Sequence, residues 1–253
     1  MEEKYIIPNL KNACQVLKYL SSKEDGASIA EVTREMGLPR TSVLRILTTL
    51  QSENMVQLEG KKFSLGSSLV RLGLLAMNNL NIQTIARPVL EELTQETLET
   101  SHLAILAKDH TLIQDVCESP RPVHAASRPG AIAPLHCSST GKVFLAYVLR
   151  ERVDEIYQNI EIEQKTEKTV KTVTEIKNGI DETLAKGYGI DDEEFSLGVR
   201  CLAAPITDAS GNVIAAIGIT ASTATFIKKK IPAFSKLVKE AAAKVSQQLS
   251  GSF

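Results

Sequence analysis

The chain has 253 residues, a formal net charge of −1, 43% hydrophobic residues, no Trp and four cysteines. That leaves room for one large or two modest cored domains, and the near-neutral balance excludes a strongly basic nucleic-acid coat. Cys14, Cys117, Cys137 and Cys201 form no CxxC pair, which argues against a disulfide framework and a zinc ribbon alike. The charge is uneven, +2 over residues 1–80 and −3 over the remainder, so any DNA affinity has to come from a small directed patch doubled by dimerisation. Residues 1–8 have no apolar core for a signal peptide, and no run of about 18 apolar residues is present to span a bilayer. A soluble, cytoplasmic protein with no membrane partner is expected.

In chain order, residues 9–21 read as a helix with Leu10, Ala13, Cys14, Leu17 and Leu20 on one face, Cys14 being a packing residue. Ser28 and Glu31 have capping-box spacing and open a helix carrying Ile29, Val32 and Met36 on one side. Gly37 stands where a left-handed C-terminal residue is wanted, and Pro39 restarts a helix in its first turn. Val43, Ile46, Leu47 and Leu50 form the buried stripe of that second helix. Arg40, Thr41, Ser42, Arg45 and Thr48 are left on or near the opposite face. Met55, Val56 and Leu58, then Glu59 and Gly60, then Lys61, Lys62 and Phe63 read as two short strands around a turn.

Helix, break, helix and hairpin is the order of parts in a winged helix-turn-helix. In a major groove its arginines reach guanine edges or phosphates, its hydroxyls reach bases or backbone, and Lys61 and Lys62 reach the phosphates alongside. A solvated helical hairpin inside a larger helical domain is the plainer alternative, and the wing weighs against it. Residues 67–80 are helical in propensity with Arg71 as their single charge, and Leu69, Val70, Leu72, Leu74, Leu75 and Met77 occupy nearly the whole circumference. Such a helix must be covered twice, by the winged domain and by the same helix of a second subunit, unless it is buried within one large domain.

From residue 82 the pattern changes. Ile85, Val89, Leu90 and Leu93 mark a helix restarted by Pro88. Strands follow at 102–107, 111–117 and 123–127, and a loop at 135–141 feeds a helix over 142–149. Helices over 152–160 and 175–186, the latter ended by Gly187, precede strands at 189–191, 199–205 and 213–220 and a last helix opening at Pro232. The fold class is α+β, with strands in hairpins that favour an antiparallel sheet flanked by helices. Neither GxGxxG nor GxxxxGK[ST] is present.

Two loops of this second domain collect polar groups. His136, Cys137, Ser138, Ser139 and Thr140 lie at a helix N-terminus, where they serve equally as a cap and as a site for a small carboxylate, and both roles can hold. The stretch GYGIDDEEFSLGVRC places four consecutive acids, 191–194, before Arg200 and Cys201; three of the four are expected to be solvated. A thiol hydrolase built on Cys201 with His136 or His102 lacks a local signature and a third orienting group. No histidine pair has metal-ligand spacing. No catalytic residue, metal or cofactor is therefore expected.

Four blocks in order, LPRTSVLRILTTL, KKFSLGSSLVRLG, LHCSSTGKVFLA and GYGIDDEEFSLGVRCLAAPITDASGNVIAAIGIT, make the chain resemble an IclR-type bacterial transcriptional regulator over essentially its whole length. The resemblance implies a winged helix-turn-helix over 1–66, a linker and dimerisation helix over 67–81, and a GAF-like effector-binding domain over 82–253. It implies a homodimer or a pair of dimers on a palindromic operator in double-stranded DNA, as a repressor more than an activator. It carries the effector pocket onto Ser139, Thr140, Gly141, Asp191, Cys201, Gly218 and Thr220. Members that bind small oxo-acids often have serines where this chain has Gly218 and Thr220. The glycine removes a hydroxyl and adds room, which turns the expectation from glyoxylate or pyruvate toward a bulkier or less polar effector. Leu44 also departs from the family pattern, as a contact to a thymine methyl or as a residue buried at the helix-wing junction. The competing class is a metabolite carrier or enzyme whose winged domain makes protein contacts only.

Overall fold

Residues 5–78, 82–158 and 161–250 are described by the computed structural model, with the backbone alone for 73–78. They fall in two units, Met1–Leu80 and Asn81–Phe253. The first contains α1 (Pro8–Ser21), β1 (Ala27–Ser28), α2 (Ile29–Met36), α3 (Arg40–Ser52), β2 (Val56–Glu59), β3 (Lys62–Leu65) and α4 (Ser67–Asn78). The capping box forms as its spacing requires. Ser28 Oγ accepts the Glu31 N–H at 3.3 Å, and the Glu31 carboxylate accepts the Ser28 N–H at 2.7 Å. Gly37 closes α2 at φ +63°, donating its N–H to the Thr33 carbonyl. Pro39 sits one position earlier than expected, as the N-cap of α3.

Val43, Ile46, Leu47 and Leu50 all face the core of this unit, with Val16, Leu20, Val32, Val56 and Phe63. Two features differ from the sequence reading. Cys14 is exposed and Leu10 largely so, because the buried stripe of α1 runs through Ala13, Val16, Leu17 and Leu20, one i, i+3, i+4, i+7 repeat that leaves the other two at its edge. The wing also gains a third strand, β1, which pairs antiparallel with β3 through Ala27 and Phe63. In α4, Val70 and Leu72 are 64% and 52% exposed. The side chains of Leu74, Leu75, Met77 and Leu80 lie outside the described residues.

The second unit comprises α5 (Ile82–Thr97), β4 (Thr100–Ala107), β5 (His110–Cys117), β6 (Ile132–Pro134), α6 (Ser139–Tyr147), α7 (Val153–Tyr157), α8 (Val173–Lys186), β7 (Gly189–Asp192), β8 (Val199–Thr207), β9 (Val213–Ser222) and α9 (Ile231–Ser250). Its six-stranded sheet has the order β6-β5-β4-β9-β8-β7, and every neighbouring pair is antiparallel. Helices cover both faces. Leu202, Ala204, Ile217 and Ile219 pack with α5 and α9, whereas Ala203 and Ala216 pack with α6 and α8. Burial of both faces accounts for the almost unbroken apolar run of β9, since alternation marks only a sheet with one wet side.

Three expectations are corrected here. Pro88 lies inside α5 on its exposed side, where the missing N–H opens toward solvent. The third strand is not 123–127 but β6, which pairs with β5 through Leu112 and Ile132. Pro120, Pro122 and Pro129 bracket the earlier stretch and break its approach to a ladder on both sides, and Val123 is 83% exposed. The helix expected over 152–160 is reduced to α7 after a 3-10 turn at Arg150–Arg152, and 159–160 lie outside the described residues.

Candidate functional site

The open polar face of the first unit follows from the helical repeat of α3. With Val43, Ile46, Leu47 and Leu50 inward, Thr41, Arg45 and Thr48 point away from the core, flanked by Leu44 and Thr49. Arg40 is exposed at the start of the helix, and Ser42 is half-buried at the edge of this face. Leu44, at 46% exposure, belongs to the open face and not to a buried helix-wing junction. No side chain caps α3, and Ser42 and Val43 donate to the Pro39 carbonyl, so the Arg40 and Thr41 amides remain open to an anion. Gly60 turns the wing at φ +62°, which puts Lys61 at the tip and Lys62 at the head of β3, both exposed. Among the described residues the Arg40, Arg45 and Lys61 side chains make no ion pair or hydrogen bond.

In the second unit, strand register arranges two rows across the α6 face of the sheet. One runs Asp191, Cys201, Thr220 and Thr100; the next runs Gly189, Ala203, Gly218 and His102. Three members of the second row are Gly or Ala, and the first turn of α6 descends onto that row. A Cβ on Gly189 would collide with the Ser139 carbonyl oxygen. One on Gly141 would come within 2.5 Å of the Leu135 Cα, so both glycines are required by close approach of the main chain. Ser138 caps α6, accepting the Gly141 N–H at 3.1 Å and donating to the Pro134 carbonyl at 2.5 Å. Lys142 fixes the other side of the turn. Its Nζ donates to the Ile190 carbonyl at 2.8 Å and pairs with Glu194.

A cavity of about 370 Å³ remains where α6 meets the polar row. Its floor is Ser138, Ser139, Thr140, Asp191, Cys201, Thr220 and His102, all buried or nearly so. Apolar wall comes from Ile113, Ala131, Ala133, Phe195 and Val199, and Ala126, Arg128, Ile132 and Ser196 form the exposed mouth. Five of the seven expected pocket residues, Ser139, Thr140, Asp191, Cys201 and Thr220, therefore converge. Gly141 and Gly218 are outside the lining. The space beside Gly218 is filled by the Leu202 carbonyl and Ala203, so this glycine serves strand packing and adds no room to the cavity. The sequence reading missed the segment 125–133, which it had folded partly into a strand.

Asp191 is 1% exposed. Its Oδ1 accepts the N–H groups of Glu194 at 2.7 Å and Phe195 at 3.2 Å, closing the turn that follows. Burial nevertheless pushes its carboxyl up to about 7, the two amides opposing. Burial lowers His102 to about 4, leaving a neutral imidazole 3.4 Å from Thr220 Oγ1. The Cys201 thiol donates to the same hydroxyl at 3.5 Å and is raised far above its ordinary range, by burial first and by Asp191 second. No thiolate–imidazolium pair can form at this floor.

The acidic run is not a solvated turn. Asp192 holds Arg200 and Lys228, Glu193 holds Lys168 at 2.6 Å, and Glu194 pairs with Lys142. Thr166 and Thr169 add hydrogen bonds to the Glu193 and Glu194 carbonyls at 2.7 and 2.6 Å. Each acid braces the loop over the cavity to a different element.

Comparison with known proteins extends these two sites to a family. The description "IclR helix-turn-helix domain" matches residues 10–60, and "Bacterial transcriptional regulator IclR C-terminal" matches 74–247. The transcriptional repressor IclR of Escherichia coli K12 is 28% identical over 97% of this chain and 91% of its own length. The regulator KdgR of the same organism is 31% identical over 90% and 87%. A crystal structure of an IclR transcriptional regulator from Alicyclobacillus acidocaldarius superposes with a TM-score of 0.83, at 25% identity over 97% of this chain and all of that one. The chain belongs to the IclR family: it is a DNA-binding transcriptional regulator, not an enzyme, with a small-molecule effector site in its C-terminal unit.

Proposed function

We propose that the chain acts in the cytoplasm as a homo-oligomeric repressor of a palindromic operator, a dimer or a pair of dimers, released or retained by a small carboxylate. The observation that carries this reading is the pairing, in one chain, of an open cationic face on α3 and the wing with a ligand-sized cavity in the other unit. Relatives named as repressors favour that sign of regulation. Base contacts fall to Arg40, Thr41, Ser42, Arg45 and Thr48, phosphate contacts to Lys61 and Lys62. The effector falls to Ser139, Thr140, Asp191, Cys201 and Thr220, with Gly141 and Gly218 supporting from behind.

The domains divide at 1–66, 67–81 and 82–253, the middle stretch being the dimerisation helix. Exposed Val70 and Leu72 support it, since they lie on different sides of α4 and a helix apolar around so much of its circumference calls for cover by a second copy. An effector acts only by binding the DNA-competent geometry and its alternative with different affinity. Genomic fragments enriched by the purified protein should contain a two-fold symmetric site, and addition of organic acids should change its affinity. Random fragments, or a symmetric site that no acid perturbs, would contradict the operator and effector halves of the proposal respectively. Val70→Lys with Leu72→Glu should lower the sedimentation mass by half; an unchanged mass would move the interface elsewhere.

A further inference from the structure

The two ends of the cavity differ in charge. Its floor offers hydroxyls, a neutral imidazole, a thiol and the first-turn amides of α6, and its one ionisable acid is Asp191; no Lys or Arg lines it. Lys142 is close by, but its ammonium is already held by Glu194 and the Ile190 carbonyl. A carboxylate lowered to this floor would stand beside the buried Asp191, and two carboxylates close together in such a site oppose each other's ionisation. An uncharged hydroxyl or carbonyl oxygen meets no such penalty. It finds donors in Ser139, which is 2% exposed with no side-chain hydrogen bond among the described residues, and in the Ser139 and Thr140 amides that the Ser138 cap leaves over.

The mouth is the reverse. Arg128 is the only Lys or Arg among the lining residues, and its guanidinium makes no ion pair or hydrogen bond among the described residues. It is carried by the irregular segment before β6, which together with that strand supplies Ala125, Ala131 and Ala133 to the wall and Ala126 and Ile132 to the mouth. A planar fork of donors beside an apolar wall suits a carboxylate attached to an apolar body.

We propose that Arg128 is the effector's carboxylate-binding residue, so that the ligand is a hydroxy- or oxo-acid lying with its carboxylate at the mouth, its apolar body along the wall and its uncharged oxygen on the floor. This rests on the reading of the cavity as the effector site.

The test uses the full chain and calorimetric titration at pH 8, with 5-hydroxypentanoate and 4-hydroxyphenylacetate as probes. Each is compared with its amide, its deoxy acid and a dicarboxylate carrying a second carboxylate at the hydroxyl end, glutarate for the first and 4-carboxyphenylacetate for the second. At least one hydroxy acid should bind more tightly than its three analogues. Arg128→Ala should weaken that acid about tenfold or more while leaving the amide unchanged, and Arg128→Lys should recover part of the loss. Arg128 is exposed and unpaired, so equal melting temperatures of variant and parent are expected and verify the fold. Equal binding of acid and amide, tightest binding of the dicarboxylate, an unaffected Arg128→Ala variant, or no binding by any probe at millimolar concentration overturns the proposal. Operator affinity measured in parallel separates the two claims. Arg128-dependent binding that leaves operator affinity unchanged sinks the effector reading alone, whereas an acid response that survives Arg128→Ala sinks only the assignment of Arg128.

Discussion

Asp191→Asn preserves the side-chain shape and the acceptor that holds the Glu194 and Phe195 amides, and puts an uncharged NH2 in place of the ionisable oxygen. In the unfolded chain the carboxyl titrates near 3.8; burial lifts it to about 7 in the fold. Between those values the folded protein keeps a proton that the unfolded chain has released, so stability falls as pH rises from about 4 to about 7. At roughly 1.4 kcal/mol per pH unit the whole span amounts to about 4 kcal/mol. His102 acts with the opposite sign. Burial lowers it from 6.5 to about 4, so the unfolded chain binds the extra proton and stability rises with pH over that interval, by about 3 kcal/mol. The two slopes nearly cancel below pH 6.5 in the parent protein, and above it the Asp191 decline is left alone. In Asp191→Asn the rise due to His102 is unmasked and then levels off. Urea titrations followed by circular dichroism across pH 4 to 8 give the difference between the two proteins at each pH, from which all other groups drop out. That difference should grow by about 4 kcal/mol in favour of the variant between the two ends of the range. A difference that stays constant with pH would refute the claim that Asp191 is desolvated.

Arg45→Ala should weaken operator binding by roughly 1–3 kcal/mol in a gel-shift titration if the side chain reads a base. Lys61→Ala should weaken all sequences alike and reduce the salt slope of log K by about 1, the mark of one lost phosphate contact. Gly189→Ala places a methyl group against the Ser139 carbonyl, so α6 has to lift from the sheet. The expected cost is about 1–3 kcal/mol, with loss of the effector's influence on DNA and retention of operator binding by the unliganded protein. Ser28→Ala removes the oxygen that caps α2 and should lower the stability of the first unit by about 0.5–2 kcal/mol, read from its melting transition.

What could be read from the sequence was what local chemistry determines. The Ser28 box, the Gly37 stop, the stripe of α3 and the turn at Gly60 each depend on residues within about four positions of one another, and each is present. The pocket loop at Ser138 is of the same kind, a cap followed by a helix. Failures arose where the partner is remote. The acids at 192–194 looked solvated because Arg200, Lys168, Lys228 and Lys142 come to them from four other places in the chain. Gly218 looked like missing bulk in a pocket, but the neighbouring strand's backbone occupies its empty side, a fact of register that no spacing reveals. The mouth of the cavity was illegible for a further reason. Between Pro120 and Pro129 the chain follows neither helical nor strand periodicity, so its small apolar residues carried no signal of what they face.

That contrast divides the cavity into a part that cannot readily change and a part that can. The floor is ruled by ladder pairing and by two glycines against main chain, whereas the mouth hangs on 121–129, a stretch outside every strand of the sheet. A library that randomises 125–128 and leaves the Asp191 row untouched should therefore yield sensors with new chemical preferences and an unaltered output half, which makes this loop the natural entry point for building biosensors on the scaffold.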